Sequence, residues 1–181
     1  MLQYALLGLM QYQPMSGYDL EQFINTSIGH FWHAKLSQIY RTLKEMEEAE
    51  WVTSRFEAQE EHRSKRLYTI TDTGRETFKA WQSQFATELD DTKLPFLVRV
   101  FFFGSLEREH IEVQMRIWRD LHQRQLRHYE AEIRPRLENA LQNEHFSAED
   151  GFFWKATLRF GEMYEEMLLR WLDEISKDFD K

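Results

Sequence analysis

"QIYRTLKEMEEAEWV", residues 38–52, decides how this chain folds. It begins with an amide, a phenol and a guanidinium (Gln38, Tyr40, Arg41) and ends in the acids Glu45, Glu47, Glu48 and Glu50. Leu36, Ile39, Leu43 and Met46 recur at intervals of three and four, the period of one helical face. The spacing predicts a helix from about Lys35 to Glu48 with that face inward. Directly after it, "WVTSRFEA" alternates, with Val52, Ser54, Phe56 and Ala58 on one side, as in a half-buried strand.

Working outward, "RLYTI" at 66–70 is a second short strand rich in β-formers. The polar run "QEEHRSKR" between the strands reads as a hairpin tip, and "TDTG" starts a helix expected to run through Trp81 and Phe85 to about Leu89. Upstream, Leu2, Ala5, Leu6, Leu9 and Met10 share one face of a first helix that Pro14 closes. Ser16 caps a second helix, with Asp19 completing a capping box and Tyr18, Leu20, Phe23 and Ile24 as its apolar stripe. Three helices, a hairpin and a fourth helix are the order of a winged helix-turn-helix.

From Lys93 on, only helices are expected, so the chain divides into residues 1–92 and 93–181, mainly α throughout, with a two-stranded wing in the first part. Pro95 opens a short apolar helix. Ser105 caps the next, which turns Ile111, Met115, Trp118 and Leu121 inward, and Pro135 must break or kink it. Ser147 and Asp150 cap the last helix, in which Phe153, Ala156, Phe160, Met163 and Met167 form an a/d seam extended by Trp171 and Ile175.

Net charge is −8, at first sight unfavourable to a polyanionic partner, yet its distribution is uneven. Residues 1–80 carry 9 Lys/Arg against 11 Asp/Glu and residues 81–181 carry 14 against 20, so most of the acid excess lies in the second half. The chain has no cysteine, which excludes disulfides, thiol nucleophiles and Cys-based metal sites and fits a reducing cytoplasm. The N-terminus lacks the basic leader and cleavage site of a signal peptide, and no run of 18 apolar residues suits a membrane span.

In a helix-turn-helix the N-terminal part of the second helix meets base edges and phosphates. Lys35, Ser37, Gln38, Tyr40 and Arg41 suit that place: Gln pairs with adenine, Arg with guanine or phosphate, and Ser and Tyr donate to phosphate oxygens. The acids follow where the helix leaves the groove, since like charge beside the DNA backbone repels. Taken alone, the same helix is equally an amphipathic one with a solvated charged face. His62, Arg63, Lys65 and Arg66 at the hairpin tip favour the first reading, because a wing touches the backbone or minor groove there.

"GLMQYQPMSGYDL", "FWHAKLSQIYRTLKEMEEAEWV" and "RLYTITDTG" together resemble the PadR family of bacterial transcriptional regulators over about residues 1–85. The length of the remainder resembles the longer, AphA-like subfamily with a helical C-terminal domain. The resemblance implies a homodimer that binds double-stranded operator DNA, most often as a repressor. It implies reading by Gln38, Tyr40 and Arg41 and wing contacts by Arg63, Lys65 and Arg66. Some members release DNA on binding small aromatic compounds, which makes such an effector a candidate partner. That family usually has glycine before the first wing strand, where this chain has Glu50, and often Gly-Arg-Pro at the tip, where this chain has Glu61, His62 and Arg63.

Other constellations carry less. His30 and His33 have a ligand-like spacing but no third donor, and Glu107 with His110 is half of a di-iron pair without its second copy. No phosphate loop, nucleophile elbow or His-Glu-x-x-His occurs, so neither an enzyme nor a cofactor nor a metal site is expected. The expected dimer interface is Phe153, Phe160, Met163, Met167 and Trp171. The alternative from another class is a helical adaptor that binds protein and uses the winged module only for packing.

Overall fold

A computed structural model describes residues 1–27, 32–58, 64–88, 93–142 and 146–179. The chain forms two compact units, Met1–Thr87 and Glu88–Lys181.

The first unit gathers α1 (Leu2–Leu9), β1 (Met15–Ser16), α2 (Gly17–Ser27), α3 (Leu36–Glu48), β2 (Val52–Ala58), β3 (Ser64–Ile70) and α4 (Asp72–Gln82). Its core comprises Leu6, Leu7 and Met10 of the α1 region, Leu20 and Ile24 of α2, Ile39, Leu43 and Met46 of α3, and Val52, Tyr68 and Ile70 of the sheet. Leu7, absent from the expected α1 stripe, is fully buried, whereas Tyr18 of the expected α2 stripe is exposed. Ser16 and Asp19 form the expected capping box: the Asp19 N–H donates to Ser16 Oγ at 3.2 Å, and the Ser16 N–H to Asp19 Oδ2 at 3.0 Å.

The wing has a third strand. Met15 and Ser16 pair antiparallel with Tyr68 and Leu67, giving the order β1-β3-β2. Two residues carry no legible alternation, so only the pairing partner reveals them as a strand. β2 and β3 run in register from Val52↔Ile70 to Ala58↔Ser64. Val52 is buried as expected, but Phe56, expected on the same inward face, is 70% exposed. The buried residues of β2 and β3, Val52, Tyr68 and Ile70, lie at the other end of the hairpin, so alternation continues where there is no core to face.

The α3–β2 junction shows why a departure from the family pattern matters. The Trp51 N–H reaches Met46 O at 2.9 Å and the Glu50 N–H reaches Glu47 O at 3.1 Å, a Schellman closure of α3. Glu50 therefore takes φ 59°, the left-handed conformation that favours glycine, alone among the described non-glycine residues. That conformation costs an L residue roughly 1–2 kcal/mol, and glycine returns roughly 0.5–1 of it through its freer unfolded chain. Glu50→Gly is thus expected to raise stability by about 0.5–1 kcal/mol in chemical denaturation. An unchanged or lowered midpoint would contradict this account of the turn.

Thr71, the first residue of "TDTG", caps α4: its Oγ1 accepts from the Gly74 N–H at 3.0 Å. The helix stops at Gln82, seven residues short of expectation, and Phe85 is 93% exposed. Trp81, stacked on Tyr4 with ring centroids 4.6 Å apart, is its last apolar anchor.

The second unit contains α5 (Pro95–Phe101), a 3-10 turn (Phe103–Ser105), α6 (Arg108–His128), α7 (Arg134–Ala140) and α8 (Ala148–Phe179). Ser105 lies in the 3-10 turn, its hydroxyl donating to Phe102 O, and Glu107 takes the N-cap place expected of it. Leu121, expected inward, is exposed. Pro135 does not break the helix. A π-helical segment, Tyr129–Ile133, joins α6 to α7, and the Arg134 N–H reaches back five residues to Tyr129 O, so the widened turn absorbs the missing donor. Ser147 and Asp150 cap α8 as expected.

Two apolar clusters hold α8. One comprises Phe96, Phe103, Ile111, Met115 and Leu172, with Phe96 stacked on Trp118; the other comprises Tyr129, Ile133 and Leu158. Between them in α8 lie two buried carboxylates, each with partners. Glu162 accepts from Arg134 at 2.6 Å and from Arg159 at 3.3 Å, and Glu165 meets His122 Nδ1 at 2.5 Å. Buried charge without such partners would be strongly destabilising.

Candidate nucleic-acid interface

Two carboxylate and amide caps set where α3 begins. Glu21 of α2 reaches across the turn, its Oε1 accepting from the Leu36 N–H at 2.9 Å. Gln38 folds back, its Oε1 accepting from the Lys35 N–H at 3.0 Å. Both satisfy donors that a helix start leaves unpaired. The Gln38 oxygen is therefore engaged, and pairing with both adenine groups requires that bond to open. Lys35, Ser37, Tyr40 and Arg41 are exposed beside it, while Ile39, Leu43 and Met46 face the core. The expected reading residues thus share the outer side of one helix.

The acidic end of α3 is partnered by cations of the same unit. Each described acid of α3 has a cation: Glu45 pairs with Arg41 at 3.1 Å, Glu48 with Lys44 at 3.7 Å and Glu47 with Arg66 at 2.6 Å. The Arg41–Glu45 pair is solvent-exposed and contributes only about 0.3–0.5 kcal/mol, so a phosphate or guanine can displace the carboxylate.

The wing cations brace the fold. Arg66 binds Glu47 and donates from Nε to Ser54 Oγ at 2.9 Å, its guanidinium 5.1 Å from the Tyr68 ring centre. Lys65 Nζ lies 2.8 Å from Asp19 Oδ2, tying β3 to the α2 cap. The Ser54 hydroxyl and then Arg66 hold the Glu47 carboxyl below its ordinary range against the opposing effect of burial. Burial pushes Asp19 up, but Lys65 and Ser16 outweigh it and hold that carboxyl low too. Both carboxylates therefore stay ionised at neutral pH. His62 and Arg63 lie outside the described residues, as does His30 of the histidine pair.

Sequence reasoning missed Asp19 as a partner of Lys65, Glu47 and Ser54 as partners of Arg66, and Glu21 as the cap of α3. The Asp19–Lys65 pair spans 46 residues and Glu47–Arg66 spans 19, distances at which no local pattern signals a contact.

Among the interface residues expected on α8, Phe153, Phe160, Met163 and Met167 are exposed, with Phe160 at 64% and Met163 at 54%. Trp171 differs: it is half-buried against the Phe96 cluster, its ring edge-on to Phe96.

Residues 6–80 match the transcriptional regulator PadR-like family, and residues 92–180 match the virulence activator alpha C-terminal family. The negative transcriptional regulator PadR of Bacillus subtilis strain 168 is 33% identical over 108 residues, which are 60% of this chain and 59% of that protein. The match therefore spans less than two thirds of that curated relative's length. The crystal structure of Bacillus subtilis PadR in complex with operator DNA superposes with a TM-score of 0.83 at 25% identity, over 98% of both chains. The same protein in complex with p-coumaric acid gives 0.77 at 27% identity, over 99% of both.

Proposed function

We propose, from the premise that the chain belongs to the PadR-like family of transcriptional regulators, that it binds operator DNA sequence-specifically as a homodimer and represses transcription. The observation that carries this reading is the exposed outer side of α3, where Lys35, Ser37, Tyr40 and Arg41 stand clear of the core at a helix start clamped by Glu21. In this reading the N-terminal turns of α3 enter the major groove. Arg41 exchanges Glu45 for a base or phosphate, and Ser37 and Tyr40 donate to the backbone. The Lys65–Asp19 and Arg66–Glu47 braces hold the wing at a fixed pitch, and the tip with His62 and Arg63 reaches the DNA backbone.

The operator complex of the Bacillus subtilis relative supports the DNA partner, and that relative's description as a negative regulator supports repression. Its complex with p-coumaric acid supports a small aromatic effector that releases DNA. Among the described residues no helix is long and apolar enough to cross a membrane. The proposed location is the cytoplasm, where the DNA is.

The test is a titration of binding to an operator fragment across salt concentrations. Contacts with several phosphates predict a log–log slope that falls by about 0.9 for each cation engaged. Replacing Arg63, Lys65 and Arg66 together by alanine is expected to weaken binding to all sequences alike. The slope should flatten by less than three such increments, because Lys65 and Arg66 are already partnered by Asp19 and Glu47. A wild-type slope near zero would instead favour the adaptor reading, for which the exposed α8 seam is the motive.

A further inference from the structure

Gly17 opens α2 and is buried, and the ring of Tyr40 lies on it. A Cβ placed there would sit 2.5 Å from Tyr40 Cε1 and 2.7 Å from its Cζ. Such separations do not occur between non-bonded carbons, so any side chain at 17 displaces the ring. Backbone freedom does not explain the glycine, because no described glycine has a positive φ. In the first turn of a helix alanine is the better former. What glycine supplies here is space.

Tyr40 has solvent on its other side, being 44% exposed. An exposed tyrosine samples several rotamers and loses that freedom when it binds. Here the floor under the ring is the backbone of the α2 start, itself rigidified by the Ser16–Asp19 box and the Asp19–Lys65 pair. The start of α2 and the outer side of α3 therefore meet at one phenol.

We propose that Gly17 is a positioning residue for DNA binding: its missing side chain seats the Tyr40 ring against the first turn of α2 and so presents the hydroxyl to the DNA backbone in one conformation. The inference rests on the reading that α3 docks on DNA, and the test separates the two. Full-length wild type, Gly17→Ala, Tyr40→Ala and the double variant are compared for affinity to one operator fragment at fixed salt and for thermal midpoint without DNA. Losing a charge-assisted hydrogen bond to phosphate corresponds to a drop on the order of tenfold.

Gly17→Ala is expected to weaken binding about as much as Tyr40→Ala. In the Tyr40→Ala background it should change affinity less than twofold, because the methyl then occupies the vacated space. The double variant should melt no lower than Tyr40→Ala alone. If Gly17→Ala does not fold, a folded double variant with the affinity of Tyr40→Ala still supports the proposal, and a double variant that also fails to fold overturns it. Equal losses from Gly17→Ala in both backgrounds, or no loss beside a clear effect of Tyr40→Ala, would overturn this inference alone. Wild-type affinity in Tyr40→Ala would overturn the docking reading and the inference with it.

Discussion

A chain carrying Phe160→Glu and Met163→Glu is expected to be a folded monomer that binds a two-half-site operator about 10²–10⁴-fold more weakly than wild type. The expectation comes from the two faces of α8. Leu158, Glu165 and Leu172 repeat every seven residues, are buried and serve the core of the second unit. Phe153, Phe160 and Met167 repeat every seven residues too, offset by two positions, which at about 100° per residue puts them on the opposite side. Those three, with Met163, are exposed. The substitutions therefore place charge where the fold has no need of apolar contact and a two-fold partner does. Each monomer would keep its reading helix but lose the advantage of linked half-sites, normally set about 34–36 Å apart or at a multiple of that. Sedimentation equilibrium and an operator titration check both parts. A variant that still dimerises, or a monomer that binds as tightly as wild type, would refute the assignment of this face.

Arg41→Ala combined with Tyr40→Ala is expected to remove about 1–3 kcal/mol of binding for the base-reading guanidinium and about tenfold for the phenol, so on the order of 10²–10³-fold together, while leaving the fold intact. Both side chains are exposed on α3, and neither belongs to the Ile39, Leu43 and Met46 face. Arg41 loses only a weak surface pair with Glu45. Binding to unrelated DNA should fall much less than binding to the operator, because a base-reading guanidinium supplies discrimination as well as charge. Equal losses on both DNAs would reduce Arg41 to a phosphate contact.

Features of the first unit that depend on local chemistry were legible in the residues. The α3 period is carried by Ile39, Leu43 and Met46, and the α2 cap by side chains three positions apart, Ser16 and Asp19. Features that depend on distant partners were not. β1 exists because Met15 and Ser16 find β3, some fifty residues on. Phe56 follows the alternation of a strand that outruns its core, and Phe85 follows a helical period with nothing left to pack against. Proline reads as a breaker, yet one i→i−5 turn suffices to pass Pro135. The site shows the same division. Which residues line the outer side of α3 follows from its period, whereas the braces Lys65–Asp19 and Arg66–Glu47 depend on the tertiary approach of hairpin and helices.

The central claim is that the outer side of α3 reads a specific DNA sequence. Selection of bound fragments from genomic DNA by the full chain, followed by footprinting of wild type and Arg41→Ala on the enriched site, tests it most directly. The account predicts a two-fold symmetric site with two protected half-sites one helical turn, or a multiple, apart, and loss of that protection in Arg41→Ala at the same protein concentration. No enriched sequence, or an unchanged footprint in Arg41→Ala, would contradict it.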